Sequence, residues 1–297
     1  MSRARSTILL TGARGQLGRE LAAVLPAVGD VVACDRSTLD LADPAAIADV
    51  VRRVRPRIIV NAAAYTGVDR AETERETALA INAHAPAVLG DEARRANAIL
   101  IHYSTDYVFD GRQTTPYDES APTGPVNAYG ESKLAGEQAV MASGAAAITL
   151  RTSWVYGRHG QNFLTTMQNL AARQSRLRVV ADQTGVPNWS RSIARATSRI
   201  IGEAGERLAE RAGLYHLSAA GSTTWYGFAR AILDGRGVEV TPIATADYPV
   251  AARRPAYGVL DATRFARTFG FALPDWQTLL QECLRADAEP PSGMAVH

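Results

Sequence analysis

Tyr129 and Lys133 are the two residues whose types and spacing best suit chemistry. They lie four positions apart in the run N-A-Y-G-E-S-K-L-A-G-E-Q (127–138), and Lys133 is the one lysine among 32 basic residues. Residues at i and i+4 share one face of a helix. An ammonium beside a phenol stabilises the phenolate and lowers the phenol pKa. We therefore expect a proton donor tuned to work near neutral pH, rather than a solvated helix that holds this pair by chance.

Gly12, Gly15 and Gly18 form a second candidate site. They follow an apolar strand predicted over 7–10 and open an amphipathic helix that is predicted to end near Leu25. In a dinucleotide-binding turn the first glycine permits the tight bend, the second lets the backbone approach a pyrophosphate, and the third allows close helix packing. A plain strand-to-helix turn is the alternative, because glycine triplets alone are weakly specific.

Asp35 directly follows the next predicted strand, over 31–34. It lies at the distance after Gly12 where a dinucleotide fold places an acid. Such an acid binds the ribose hydroxyls of NAD. Two arginines, Arg14 and Arg36, lie nearby in the sequence and could instead hold the 2′-phosphate of NADP. The sequence therefore leaves the choice between NADH and NADPH open.

Strand and helix patterns alternate through the first half of the chain. Strands are predicted over 58–60, 99–101 and 148–151, with helices over 44–55, 69–96 and around Tyr129. This order predicts an α/β fold, a Rossmann-like doubly wound parallel sheet whose ligands bind beyond the carboxyl ends of the strands. At that edge, alanines over 62–64 leave room for a flat cofactor or for close helix packing. Thr105 is placed there to bind a carbonyl oxygen, or to cap its own strand.

The alternation loosens in the second half. We expect residues 1–153 to form the dinucleotide-binding domain, with part of about 181–220 returning to it, residues 154–290 to form mainly a smaller C-terminal substrate-binding domain, and 291–297 to be a flexible tail. Helices are predicted over 163–173, 192–203, 222–233 and 275–284, with a short strand over 215–217. Trp154 is expected to stack on a sugar or base, or to be a core residue. Arg254 could offer its guanidinium to a diphosphate, or be solvated.

Several classes of function are disfavoured by composition. The net charge of +2 provides no basic field for nucleic acid. Cys34 and Cys283 lie far apart without metal-ligand spacing, so neither a disulfide nor a metal site is predicted. The sequence shows no secretory signal and no apolar run long enough to span a membrane. We expect a cytoplasmic protein without a membrane partner.

Five strings resemble a known family. They are N-A-A-A-Y-T-G-V-D-R-A-E, H-Y-S-T-D-Y-V-F-D-G, Y-G-E-S-K-L-A-G-E, R-T-S-W-V-Y-G and A-R-R-P. From about residue 7 to 284 the chain resembles the extended short-chain dehydrogenase/reductases. More narrowly, it resembles the dTDP-4-dehydrorhamnose reductase family, which catalyses the last step of dTDP-L-rhamnose synthesis.

This resemblance implies roles for individual residues. Tyr129 would protonate O4 of a 4-keto sugar as reduced nicotinamide delivers hydride to C4, Lys133 would lower the Tyr129 pKa and hold the nicotinamide ribose, and Thr105 would bind the carbonyl oxygen. The deoxysugar would contact Thr105, Asp106 and Trp154. With Arg14 and Arg36, the expected cofactor contacts are Gly12, Gly15, Gln16, Leu17, Gly18, Asp35, Asp40, Leu41, Ala63, Ala64, Tyr65, Tyr103, Tyr129 and Lys133.

The resemblance also bears on partners. A nucleotide-linked sugar is the expected substrate, and a homodimer is possible because some family members dimerise through carboxylates bridged by magnesium. Glu20 matches one such carboxylate, but the stretch 188–192, N-W-S-R-S, contains no acid, which argues against magnesium here. Two other functions stay open: a reductase of a different dTDP-4-keto-6-deoxy sugar, and a cofactor-binding regulatory subunit. The intact Thr105, Tyr129 and Lys133 argue against the regulatory subunit.

Overall fold

The structure is a computed structural model that describes residues 5–288, without the side chains of residues 206, 287 and 288. Its strands are β1 (Thr7–Thr11), β2 (Asp30–Cys34), β3 (Ile58–Asn61), β4 (Ile99–Thr105), β5 (Ala147–Thr152), β6 (Val155–Tyr156), β7 (Arg176–Val180), β8 (Thr184–Gly185), β9 (Asn188–Trp189), β10 (Gly213–His216), β11 (Thr223–Thr224) and β12 (Glu239–Ile243). Its α-helices are α1 (Gln16–Val24), α2 (Pro44–Val54), α3 (Arg75–Leu79), α4 (Ala85–Ala96), α5 (Ala128–Ala142), α6 (Phe163–Ala171), α7 (Ser190–Ala204), α8 (Trp225–Ile232), α9 (Thr263–Phe269) and α10 (Trp276–Ala288).

The centre of the molecule is a parallel sheet of six strands in the order β10-β5-β4-β3-β1-β2. The predicted α/β fold with a doubly wound parallel sheet is confirmed. From β1 the chain first builds β2 on one side and then returns to build β3 on the other side. Ligands of such sheets bind at this reversal, beyond the carboxyl ends of β1 and β3.

The two faces of the sheet are buried by alternate residues of the same strands. Leu10 of β1 packs with Leu21 and Ile193, which belong to α1 and α7. Its neighbour Leu9 points to the other face and packs in a cluster that includes Ile47 of α2. Strands that are buried on both faces are apolar throughout, which explains why β1 and β3 are continuous apolar runs.

The segment predicted as one helix over 69–96 is divided. A 3₁₀ turn at Arg70–Glu72 precedes α3, and a π-helical turn at Ala80–His84 separates α3 from α4. The π turn carries Asn82 into the protein, where its side chain contacts the loop after β3. A π turn widens the helix locally and is frequent at functional sites.

The second half builds smaller units. β7 pairs in parallel with β12, β6 in parallel with β9, and β8 antiparallel with β11. Phe228 of α8 and Trp276 of α10 pack in one apolar cluster. The β7–β12 pair and α9 were not predicted. The domain boundaries stay a prediction, and the predicted flexible tail lies outside the described residues.

No helix within residues 5–288 combines the length and apolar character that crossing a bilayer requires.

Helix α5 is held close to the rest of the protein by its glycines. A Cβ on Gly136 would lie 2.0 Å from the Asn82 carbonyl oxygen, and one on Gly130 would lie 2.2 Å from the carbonyl oxygen of Tyr107. Any larger residue at either position would push α5 away from the site.

We expect Gly136→Ala to destabilise the protein despite the higher helix propensity of alanine. The added methyl group would force α5 from the π turn, at a cost of about 1–3 kcal/mol for an overpacked interior. Urea unfolding measures the change. Gly202→Ala in α7 is the matched control, because its Cβ would meet only the Val28 side chain at 3.1 Å. Equal stability of both variants would contradict the close packing of α5.

Candidate active site

The glycine turn brings β1 against β3. Gly12 has φ +71°, and a Cβ there would lie 2.7 Å from the Ala63 backbone. A Cβ on Gly18 would lie 2.0 Å from the Gly12 carbonyl oxygen, so the turn and α1 are also in close contact. The first turn of α1 carries backbone N–H groups that have no partner inside the helix and attract an anion. The turn is therefore suited to bind a pyrophosphate through Gln16 and Leu17, with Gln16 anchored by its amide donating to the Val155 carbonyl at 2.9 Å.

Asp35 lies beside this turn and is already engaged by cations and donors of the protein. Its Oδ2 is 2.7 Å from Nε of Arg14, and its Oδ1 accepts from the backbone N–H of Ser37 at 2.8 Å. Hydrogen bonds from Ser37, followed by the Arg14 charge, hold the pKa of this carboxyl below its usual range. Arg14 is largely exposed, and Arg36 is exposed. This end of the site can bind ribose hydroxyls through Asp35 or a phosphate through the arginines.

The remaining predicted cofactor residues line the same edge in different ways. Asp40 is exposed and accepts from the N–H of Ala42, whereas Leu41 is buried in the core. Ala63 and Ala64 follow β3, half-buried. The Leu41 side chain packs in the apolar cluster with Ile47, and its contact with a cofactor stays a prediction.

Asn82 holds the next residue, Tyr65, by both backbone groups. Its Oδ1 accepts from the Tyr65 N–H at 2.8 Å, and its Nδ2 donates to the Tyr65 carbonyl at 3.0 Å and to Ser132 Oγ at 2.9 Å. This clamp ties the loop after β3 to α5. Asn82 and Ser132 were not predicted, because the sequence does not show that the π turn turns Asn82 inward.

Tyr129 sits in the first turn of α5, which begins at a clear capping residue. Asn127 accepts from the N–H of Gly130 at 2.8 Å, and Glu72 accepts from the N–H of Ala128 at 2.9 Å. The phenol of Tyr129 lies near enough to the Thr105 side chain for that residue to lower its pKa. Its ring makes an edge contact with Tyr107, with the ring centroids 5.5 Å apart. The predicted pair Thr105 and Tyr129 is therefore brought together.

The predicted tuning of the Tyr129 phenol is wrong for this structure. Burial raises its pKa to about 12, against the opposing effect of the Thr105 side chain. The Lys133 ammonium instead donates to the carbonyl of Tyr103 at 2.7 Å. Desolvation thus outweighs the i+4 spacing, and the phenol keeps its proton at neutral pH.

Lys133 itself is buried, with 2% of its surface exposed. Burial lowers its pKa to about 8, and the Glu137 carboxylate acts in the opposite direction. Its acceptor, Tyr103, turns its own phenol away from the crevice to pair with Thr197 at 2.6 Å. Tyr103 therefore acts here through its carbonyl, which fixes the lysine.

Asp106 is a buried carboxyl next to Thr105. The Thr105 hydroxyl donates to its Oδ1 at 3.0 Å, and a Cβ on Gly258 would lie 2.5 Å from its Oδ2. Gly258 thus lets the segment around 252–258 pass directly over the acid. Burial raises the Asp106 pKa to about 7, so its charge changes near neutral pH.

Trp154 and Arg254 have protein partners. Trp154 adopts φ +41° and stacks on Trp225, with centroids 3.5 Å apart and planes 9° apart. The Arg254 guanidinium pairs with Asp69 at 2.7 Å and donates to the carbonyl of Ala252 at 3.2 Å. Both residues are held in defined orientations, and their substrate contacts stay a prediction.

Glu20 does not fit a metal-bridging role in this chain. Its buried carboxylate lies 2.9 Å from Nε of Arg191, whose positive charge takes the place of a cation. Within residues 5–288 there is no group of three or more His, Cys, Asp or Glu residues arranged to hold a metal ion. The homodimer stays a prediction.

Comparisons with known proteins agree with this geometry. A sequence model of the family described as "RmlD substrate binding domain" matches residues 6–288. The dTDP-4-dehydrorhamnose reductase of Burkholderia thailandensis is 45% identical over 291 residues, covering 94% of this chain and 98% of the relative. The chain belongs to the dTDP-4-dehydrorhamnose reductase family. The resemblance inferred from the five strings is confirmed, and the chain is an oxidoreductase of this type.

Two further similarities add detail about the family. A Streptomyces antibioticus protein, named a probable dTDP-4,6-dihydroxy-2-methyloxan-3-one 4-ketoreductase, is 42% identical over 292 residues, covering 96% of this chain and 97% of that protein. The crystal structure of the Bacillus anthracis reductase in complex with NADP has a TM-score of 0.88 and 35% identity, covering 95% of this chain and 99% of that one. The first of these proteins is thus named for a different keto sugar, and the second is a reductase whose crystal structure holds NADP.

Because the pKa of Asp106 is raised in the folded protein, the free energy of unfolding depends on pH. The native carboxyl keeps its proton where the unfolded chain has lost it, so its stabilisation is full below about pH 4 and is lost as pH rises through 7. We expect Asp106→Asn, which stays neutral, to lose less melting temperature between about pH 5 and pH 8 than the wild type does. The exposed Asp91→Asn should keep the wild-type difference. If Asp106→Asn keeps it as well, Asp106 is not protonated in the native state.

Proposed function

We propose that this protein reduces the C4 keto group of dTDP-4-dehydro-L-rhamnose to give dTDP-L-rhamnose. The observation that carries the proposal is the pair Thr105 and Tyr129 at the carboxyl edge of the sheet, with the buried Lys133 one turn further along α5. A protein that only bound a cofactor would not need a proton donor there. Family membership supplies the nucleotide-sugar class of substrate.

Tyr129 acts as the general acid of this reaction. When bound, reduced nicotinamide supplies a hydride to the sugar C4. The Tyr129 phenol gives its proton to O4, so that hydride and proton together convert the ketone to an alcohol. Its raised pKa keeps the proton in place until negative charge develops on O4.

Thr105 and Lys133 assist Tyr129 in different ways. Thr105 binds O4 of the sugar, and Lys133 binds the nicotinamide ribose. The Thr105 hydroxyl has one proton, which points to Asp106 in this structure, and it must turn to O4 to bind the ketone. Lys133 has two further N–H groups beyond the one that binds the Tyr103 carbonyl, and these are available to the nicotinamide ribose. Asp106, Trp154 and Arg254 complete the substrate side as expected from the sequence.

Conversion of the keto sugar is tested by the loss of reduced-nicotinamide absorbance, with the product configuration determined by NMR. We expect Tyr129→Phe to keep cofactor affinity and to lower turnover by about 10²-fold or more, the scale of a lost general acid. Tyr226→Phe, in α8, is the control and should turn over normally. Unchanged turnover of Tyr129→Phe would remove that residue from the mechanism.

NADPH and NADH are both proposed as cofactors. Asp35 suits the ribose hydroxyls of NADH, while Arg14 and Arg36 suit the 2′-phosphate of NADPH, and the NADP complex of the Bacillus anthracis relative supports the second. In the NADPH complex Arg14 would bind the phosphate while still neutralising Asp35. Arg14 is then the residue that reconciles the two cofactors.

We expect Arg14→Gln to weaken NADPH binding on the order of tenfold, the effect of one charged hydrogen bond, and NADH binding much less. Fluorescence titration of each reduced cofactor measures both constants. Arg57→Gln, at the opposite edge of the sheet, should change neither. Equal loss for both cofactors would contradict a phosphate contact of Arg14.

A second candidate function is reduction of a different dTDP-4-keto-6-deoxy sugar. The 42% identity to the Streptomyces antibioticus protein, close to the 45% of the Burkholderia thailandensis reductase, favours keeping it. The same residues would act on either substrate, since hydride and proton transfer at C4 do not depend on the other ring substituents. Relative kcat/KM for the two classes of keto sugar decides between them.

A further inference from the structure

Glu137 extends the functional face of α5 by one more turn. Tyr129, Lys133 and Glu137 are spaced by four residues each, so they lie along one side of the helix. Lys133 is 2% exposed and Glu137 8% exposed. The proposed reaction does not use this carboxylate.

The Glu137 carboxylate is fixed by a buried ion pair. Arg151 of β5 donates to it through Nε at 2.8 Å and through Nη2 at 2.7 Å, and its guanidinium lies 5.0 Å from the Phe109 ring centroid. Nη1 of this arginine is buried with no hydrogen-bond partner among the described residues. Buried ion pairs contribute little net stability, because desolvation offsets their attraction. A pair with an unsatisfied nitrogen is therefore poorly explained by stability alone.

The charged groups around Lys133 indicate a role for the Glu137–Arg151 ion pair. His102 on β4 and Glu137 on α5 interact with it electrostatically, and Tyr129 lies one helical turn away on α5. Arg151 of β5 pairs with Glu137. Burial and the Lys133 charge together keep the His102 pKa far below its usual value, so that ring is neutral. Of these groups, Glu137 is the one that opposes the effect of burial on Lys133.

We propose that Glu137 is a positioning residue whose carboxylate, held in place by Arg151, keeps the buried Lys133 ammonium charged next to Tyr129. The ammonium can then donate hydrogen bonds to the Tyr103 carbonyl and to a cofactor at neutral pH. Arg151 prevents the carboxylate from turning to Lys133 and forming a closed pair with it. The ammonium thus remains free to point toward the crevice.

The single lysine of the chain makes the proposal directly testable. Full-length protein labelled with ¹³Cε-lysine yields one ε-carbon signal, whose shift against pH gives the Lys133 titration midpoint. We expect about 8 for the wild type and a midpoint lower by about one unit for Glu137→Gln, the small end of the effect of a nearby opposite charge. An unchanged midpoint overturns the proposal.

Matched variants separate the charge effect from a structural one. Glu92→Gln removes another buried carboxylate, which pairs with Arg52 at 2.7 Å and with Arg95 at 2.6 Å, and should leave the Lys133 midpoint unchanged. Glu137→Asp, which retains the charge, should restore most of the midpoint. If Glu137→Gln does not fold, the double variant Glu137→Leu/Arg151→Met removes both charges without leaving one unpaired, and its midpoint should also fall. An unchanged midpoint there counts against the proposal as well.

The activity arm rests on the function proposed above, whereas the NMR titration does not. Lys133 is charged below its pKa, so a lower pKa moves the alkaline limb of the turnover profile to lower pH in Glu137→Gln. A shifted limb supports the proposal, and an unshifted limb in an active enzyme contradicts it. Absence of turnover in the wild type would instead sink the function, and the midpoint alone would then decide the role of Glu137.

Discussion

The hydrogen bond from Lys133 to the Tyr103 carbonyl is the contact on which the site depends. It joins α5, which carries the acid Tyr129, to β4, which ends in Thr105. Because the ammonium is buried, the bond forms in a medium of low polarity, where it is stronger than in water. The relative position of the phenol and the threonine hydroxyl follows from this joint.

Close backbone contact is the second constraint, and it explains several small residues. Gly12 lies against Ala63, Gly18 against Gly12, and Gly136 against the Asn82 carbonyl. Each contact would be broken by a single added methyl group. Together they bring the glycine turn, the loop after β3 and α5 into one crevice. This crevice lies where the strand order of the sheet reverses.

Most of the fold could be predicted from the sequence, because buried parallel strands are short apolar runs and the helices between them are amphipathic. The Tyr129 and Lys133 spacing and the glycine turn were found for the same local reason. The β7–β12 pair was missed, although exposed arginines alternate in β7 with buried Leu177 and Val179, as in a strand with one buried face. Pro242 within β12 disfavours a strand there, so the sequence indicated no partner for β7. Spacing reveals neighbours along one element and says little about neighbours from another.

The pKa values of the site were beyond the sequence for a related reason. The i+4 spacing predicts attraction between a phenolate and an ammonium, but it does not reveal how far both groups are desolvated. The Glu137–Arg151 and Arg14–Asp35 pairs join residues from different elements, and only the fold brings them together. The interactions that were missed are those in which burial by distant segments outweighs the effect of neighbours on the same helix.

Burial shifts the pKa values of Tyr129 and Lys133 in opposite directions, and both shifts favour reduction of the ketone. It raises the pKa of Tyr129, so the phenol enters the reaction protonated, and it lowers the pKa of Lys133, so that a nearby carboxylate is needed to hold its charge. A ketone that receives hydride becomes an alkoxide, which is more basic than a phenolate. Proton transfer from Tyr129 is then favourable once hydride has arrived and unfavourable before it. A buried phenol with a high pKa therefore links the proton to the hydride step, which a phenol tuned to neutrality would do less strictly.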